Sequence, residues 1–251
     1  MDSHVMTTLE MVKGIIFDLD DTLYRSDIWM SNLTRKWLKE LGLDEVASCS
    51  NEKLEQAFVT ARTWMNEYMI SEGVHSKWYP SHDLWVEYGK RMLRSLGVST
   101  DLDRLANEIT EKWEATVVPW QSSLIPGCKE VLEELHSRGY KLGLASNRWE
   151  DPSGILKRDS IFDLFEAVEH SMVPGYKKPS PYMLLKISRH MGINPMRCAF
   201  IGDFMELDVE AALRAQMTPI LITWEREGEA EKAPPELRTI DHIESLLEIF
   251  K

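Results

Sequence analysis

The sequence predicts an α/β fold, a doubly wound parallel sheet interrupted after its first strand by a separate bundle of four helices. Three observations predict it. A short apolar run at 12–17 near the amino terminus suits a strand buried on both faces. Four successive segments then carry apolar residues at helical spacing, with no strand among them. Beyond Pro119, apolar runs and helical patterns alternate, as the crossovers of a parallel sheet require.

The strand at 12–17 gives way to a polar cluster at Asp18. From about Ser26, Trp29, Leu33, Trp37 and Leu41 recur every four residues and stop at Gly42, a favoured helix end. Leu54, Phe58, Ala61, Met65 and Tyr68 repeat the pattern before Gly73, and Leu84, Trp85, Tyr88, Met92 and Leu96 carry it to Gly97. Thr100 and Asp103 form a Thr-x-x-Asp variant of the capping box, which predicts a fourth helix with Leu102, Leu105, Ile109 and Trp113 on one face. A helix from Pro126 then carries Val131, Leu132 and Leu135 and closes at Gly139, leading into a strand at 140–145 that ends at Ser146. Further strands are predicted at 165–168, 198–202 and 219–223, with helices at 180–191, 206–215 and 241–250 and a loop at 225–236.

Charge and composition narrow the function. With 29 basic and 41 acidic side chains among 251 residues, the net charge is −12. That balance repels phosphate backbones and anionic lipid, so neither nucleic acid nor membrane is expected as a partner. Hydrophobic residues at 43% and charged residues at 28% are ordinary globular usage and exclude long disorder. Cys49, Cys128 and Cys198 are odd in number and far apart, which fits small apolar residues in a reducing compartment. No apolar stretch approaches the roughly 18 residues that cross a bilayer. The first ten residues, with acids and no Lys or Arg, do not resemble a cleavable signal, so a cytoplasmic location is expected. Oligomeric state is not legible. Trp29, Trp37, Trp64, Trp85 and Trp113 fall mostly on helical apolar spacing and read as core, whereas 78–82 reads as a loop between helices available for substrate contact.

Ligands of open parallel sheets gather at the carboxyl ends of the strands. There the chain places Asp18-Leu19-Asp20-Asp21-Thr22, then Ser146-Asn147, then Gly202-Asp203 with Asp208 beyond, and between the last two Lys177-Lys178-Pro179. Residues two apart in extended chain project to one side, so Asp18 and Asp20 are expected to share a space. Carboxylates that close, joined by Asp203 and Asp208, repel unless a cation joins them, and an oxygen-only site with few protein ligands suits Mg²⁺. One acid then attacks phosphorus while a second protonates the leaving oxygen, with a hydroxyl and a lysine to steady the charge. Singly, each residue has a plainer explanation: Asp-x-Asp-x-Thr as a turn, Ser146 as a helix cap, Lys178 as a solvated charge. A calcium loop is rejected because it needs Gly and Glu where Leu23 and Trp29 stand.

Phe17 to Leu23, Ala145 to Asn147, Gly175 to Pro181 and Ile201 to Asp208 together resemble the four ordered motifs of the haloacid dehalogenase superfamily. The resemblance runs from residue 17 to about 223. It implies a Rossmann-like core at 1–23 and 119–251, with a separate four-helix cap domain at 24–118. It makes Asp18 the nucleophile and Asp20 the general acid and base. Ser146, Asn147 and Lys178 become the phosphate-binding residues, and Asp18, Asp20 (through its carbonyl), Asp203 and Asp208 the Mg²⁺ site. The acid at Asp20 resembles the phosphatases of the family rather than the dehalogenases, which lack it. The implied activity is therefore hydrolysis of a small-molecule phosphate ester through an aspartyl-phosphate. A sugar-phosphate mutase and a non-catalytic phosphate-binding protein are the alternatives. The chain departs from the family at Phe204, where a small polar residue is usual.

Overall fold

A computed structural model describes residues 9–26, 30–117, 122–224 and 228–251. Trp29, Pro119 and the first residues of the expected 225–236 loop lie outside the described residues. The chain divides into two compact units, with the boundaries between Arg25 and Ser26 and between Gln121 and Ser122.

The first unit is built on a six-stranded sheet. Its strands are β1 (Gly14–Phe17), β4 (Lys141–Ser146), β5 (Phe165–His170), β6 (Cys198–Gly202), β7 (Thr218–Ile222) and β8 (Arg238–Ile240), in the order β5-β4-β1-β6-β7-β8. Every pairing is parallel, with Phe17 level with Leu144 on one side and with Ile201 on the other. The central strands are short and wholly apolar because helices cover both faces. Ile15 and Phe17 point into one layer with Val131, Leu132 and Leu135 of α6 (Cys128–Ser137). Ile16 points into the other, with Met183, Leu184 and Ile187 of α8 (Tyr182–Met191) and Ala211 and Ala212 of α9 (Glu210–Arg214). Each such fully buried Leu, Ile or Phe contributes about 1.5–3 kcal/mol. The order in which strands are added reverses at β1: β4 and β5 follow on one side of it, and β6, β7 and β8 on the other. The crevice at the carboxyl ends of β1 and β6 is the topological switch point where such sheets bind ligands.

The second unit contains α1 (Met30–Glu40), α2 (Asp44–Ala47), α3 (Asn51–Glu72), α4 (His82–Ser95) and α5 (Leu102–Val117). Trp37, Leu54, Ala61, Leu93, Leu105 and Ile109 form its core. Ser50 and Ser81 cap α3 and α4 by accepting from the Lys53 and Leu84 N–H groups, and Gly73 ends α3 in the left-handed conformation.

Several expectations are corrected. The capping box at Thr100 does not form: α5 begins at Leu102, the Asp101 carbonyl accepts the Leu105 N–H at 2.9 Å, and Asp103 pairs with Lys90. Of the segment 78–82, residues 78–81 form the expected loop, with Ser81 as helix cap, and only His82 lies in α4, its ring 3.1 Å from Glu114. The 225–236 stretch contains α10 (Glu229–Lys232), and the helix expected at 241–250 reduces to a 3₁₀ turn followed by α11 (Leu246–Ile249). Two segments the pattern does not signal, β2 (Tyr24–Ser26) and β3 (Ser122–Leu124), pair as a separate two-stranded sheet. A short helix, α7 (Ser153–Arg158), follows β4, and Tyr24 Oη donates to Asp159 at its end at 2.7 Å. Among the described residues no helix is long and apolar enough to cross a membrane.

Candidate active site

The sheet delivers Asp18 directly. Its N–H still donates to the Ile201 carbonyl at 2.8 Å, so the residue leaves β1 pinned beside β6. The chain then folds back: the Leu23 and Tyr24 N–H groups both donate to the Leu19 carbonyl at 2.9 Å. Asp21 takes φ 58°, a left-handed conformation its short polar side chain tolerates. Trp224 Nε1 donates to the Asp21 carbonyl at 3.1 Å and ties this turn to the end of β7.

Asp18 is buried, and its Oδ1 accepts from Lys178 Nζ at 2.5 Å. The same ammonium, only 2% exposed, stands 2.6 Å from Asp208 Oδ1. Burial works against the charge of Lys178, but the two carboxylates outweigh it and hold the ammonium above its ordinary pKa. Burial pushes the Asp18 carboxyl well above the usual carboxylate range. Lys178 opposes that, and Asp208, Asp203 and Asp20 add to it.

Asp208 is placed by the loop after β6. Its Oδ2 accepts from the Asp203 N–H at 3.1 Å and the Phe204 N–H at 3.0 Å, which secures the loop despite the bulk of Phe204. Glycine is required at 202, because a Cβ there would stand 2.5 Å from both Cβ and Cγ of Asp208. The next residues form a π-helical turn, Met205–Val209, whose first N–H donates to Glu229 Oε2 at 2.8 Å. Lys232 holds that buried Glu229 at 2.6 Å. Carboxylate oxygens of Asp18, Asp203 and Asp208 lie within 4.8 Å of one another, three buried acids close enough to share one cation. One ammonium against three carboxylates leaves excess negative charge in a sheltered place, and the all-oxygen donor set suits a hard divalent ion.

The other candidates are arranged differently from the simple picture. The Asp20 side chain does not join the three acids. It turns to Arg148, whose Nε donates to Oδ1 at 3.1 Å and Oδ2 at 2.8 Å and whose Nη2 also meets Oδ1. Burial opposes the guanidinium charge, but the Asp20 bond and charge outweigh it and raise the Arg148 pKa. Ser146 is fully buried at the end of β4, with its Oγ 3.4 Å from Asp20 Oδ2. The Asn147 amide grips the Lys178 peptide, Nδ2 donating to the carbonyl at 3.0 Å and Oδ1 accepting the N–H at 2.8 Å. Two site residues escape sequence reasoning. Arg148 carried a usable signal, being the cation directly after Ser146-Asn147 at a strand end. Glu229 carried none, since it lies in an acidic stretch without periodicity.

The chain also resembles known proteins. The chain is 27% identical over 237 residues to the glyceraldehyde 3-phosphate phosphatase of Methanopyrus kandleri, covering 90% of this chain and 88% of that protein. It is 29% identical over 222 residues to the phosphoglycolate phosphatase of Aquifex aeolicus, covering 85% of each. Its fold matches the crystal structure of a predicted phosphoglycolate phosphatase from Haemophilus somnus with a TM-score of 0.65, at 21% identity over 96% of this chain and 99% of that one. Residues 12–216, from the strand that delivers Asp18 to past the loop that holds Asp208, match the family model of the haloacid dehalogenase-like hydrolases, and the chain belongs to that family.

Proposed function

We propose that the chain is a Mg²⁺-dependent phosphomonoesterase that acts on a small phosphorylated metabolite through an aspartyl-phosphate. The observation that carries this reading is the buried Asp18, bonded to Lys178 and grouped with Asp203 and Asp208 at the switch point of the sheet. Asp18 attacks phosphorus as the bond from phosphorus to the ester oxygen breaks. Asp20 gives its proton to the departing alkoxide, then takes one from the water that cleaves the aspartyl-phosphate. Lys178 holds Asp18 in place and steadies the charge that gathers on the phosphoryl oxygens, a task the Ser146 hydroxyl shares. Asn147, with its amide engaged on Lys178, acts here by placing that lysine rather than by touching the phosphate. Asp18, Asp203 and the Asp20 carbonyl, with Asp208 in support, are the groups to hold Mg²⁺, which when bound offsets the negative charge of the incoming ester. The helical unit takes the part of a cap domain in this reading.

The names of two relatives, a glyceraldehyde 3-phosphate phosphatase and a phosphoglycolate phosphatase, favour a small phosphate ester as substrate. The test is a panel of these two esters with hexose phosphates and nucleoside monophosphates, read as inorganic phosphate released. At least one small ester is expected to be hydrolysed with Mg²⁺, the rate falling about a hundredfold or more in EDTA and returning when Mg²⁺ is restored. Conversion to an isomer without free phosphate, or hydrolysis indifferent to EDTA, contradicts it. Because burial lifts the Asp18 carboxyl, a cation competes there with a proton. Mg²⁺ affinity is therefore expected to weaken as pH falls, beginning above the ordinary Asp range near about 3.9.

A further inference from the structure

Glu229 is a buried acid that takes no part in the chemistry above. It is 2% exposed. Taking a carboxylate out of water is costly unless its oxygens are met, and here both are. Oε2 accepts the Met205 N–H at 2.8 Å, and Oε1 stands 2.6 Å from Lys232 Nζ. The same ammonium reaches Glu206 at 3.2 Å and lies 5.4 Å from the centre of the Phe204 ring. Through these two side chains α10 grips three successive residues of the loop after β6: Phe204, Met205 and Glu206.

What that grip controls follows from the peptide between Phe204 and Met205. Its N–H goes to Glu229, and its carbonyl, on the opposite edge of the same rigid plane, accepts the Asp208 N–H at 2.8 Å. The Asp208 carboxylate in turn accepts from the Asp203 and Phe204 N–H groups. Tilting that one plane therefore shifts the backbone of Asp208 and, through its carboxylate, the loop at Asp203. Phe204 stands at the cap position of the π-helical turn, where a small polar side chain would offer the free N–H groups an acceptor and a phenyl ring offers none. Glu229 brings the missing acceptor from 24 positions beyond Met205. Resting on the Mg²⁺-dependent reading above, we propose that Glu229 is a positioning residue for the metal-binding acids, acting through the Met205 peptide to hold Asp203 and Asp208 at the spacing the ion requires. The hydrogen bond to the N–H carries this role, and the pairing with Lys232 keeps the carboxylate aimed at it.

The test titrates Mg²⁺ alone into the full-length wild type and its Glu229→Ala and Glu229→Gln variants, reading affinity by calorimetry and by the rise of Tm with Mg²⁺ concentration. Glu229→Ala is expected to weaken Mg²⁺ binding about tenfold or more, the usual effect of removing a group that orients metal ligands. Glu229→Gln, whose amide oxygen still accepts the N–H, is expected to stay within about threefold of the wild type. A Glu229→Ala protein that melts lower in EDTA yet binds Mg²⁺ as the wild type does makes Glu229 a prop for the fold and overturns the proposal. A Glu229→Gln protein as weak as Glu229→Ala overturns it too, because charge would then outweigh the bond. Should Glu229→Ala fail to fold, Glu229→Asp decides: it keeps the charge but falls one methylene short of the Met205 N–H, and wild-type Mg²⁺ affinity there contradicts the proposal. A wild type with no response to Mg²⁺ removes the metal reading itself, which is a distinct result.

Discussion

Asp18→Asn is expected to lower phosphate-ester hydrolysis on the order of 10⁴-fold or more, because an amide oxygen does not accept the phosphoryl group. The same substitution is expected to leave the fold intact. It removes one of three crowded buried acids and keeps Asp208 as partner of Lys178, so lost attraction and relieved repulsion oppose each other. Melting in EDTA within a few degrees of the wild type, together with phosphate release at background, is the expected pair of results. Residual activity within tenfold of the wild type contradicts the assignment.

Lys178→Met has a different signature, since it damages stability and activity together. Methionine fills the volume but leaves Asp18 and Asp208 facing each other without their ammonium. Removing one partner of a buried pair costs about 3–5 kcal/mol, and in a protein of this size that lowers Tm by roughly 6–20 °C. The pH dependence fixes the cause. Asp18 already has its carboxyl raised in the fold, and losing Lys178 removes the buried ammonium that opposes this rise. A folded pKa above the unfolded one means that stability is present below the unfolded value and is lost as pH rises through the folded value. The deficit of Lys178→Met is therefore expected to be full near neutral pH and to shrink on acidification, measured as ΔTm against the wild type in EDTA across pH. A deficit that is constant with pH points to simple loss of packing.

The strands that carry the site were legible because they are buried on both faces and so read as unbroken apolar runs, as in Ile15-Ile16-Phe17 and Ala199-Phe200-Ile201. Edge and accessory strands were not. Arg238-Thr239-Ile240 buries one residue of three, and β2 and β3 are too short to show a period. The same division runs through the site. Strand-end position and motif order brought Asp18, Lys178, Asp203 and Asp208 to one edge. The diversion of Asp20 to Arg148 was invisible, because extended-chain alternation ignores the turn at Asp21 and the pair spans 128 positions. The bond from Glu229 to the Met205 N–H is likewise a tertiary contact with no local pattern behind it.

The account stands on Asp18 accepting phosphorus. Acid quenching of the enzyme during turnover of a hydrolysed ester with Mg²⁺, followed by peptide mass spectrometry, reads this directly. The mass of one phosphoryl group is expected on the peptide that contains Asp18, labile to hydroxylamine and absent from Asp18→Asn. Steady turnover with no adduct there, or an adduct on another side chain that persists in Asp18→Asn, contradicts it.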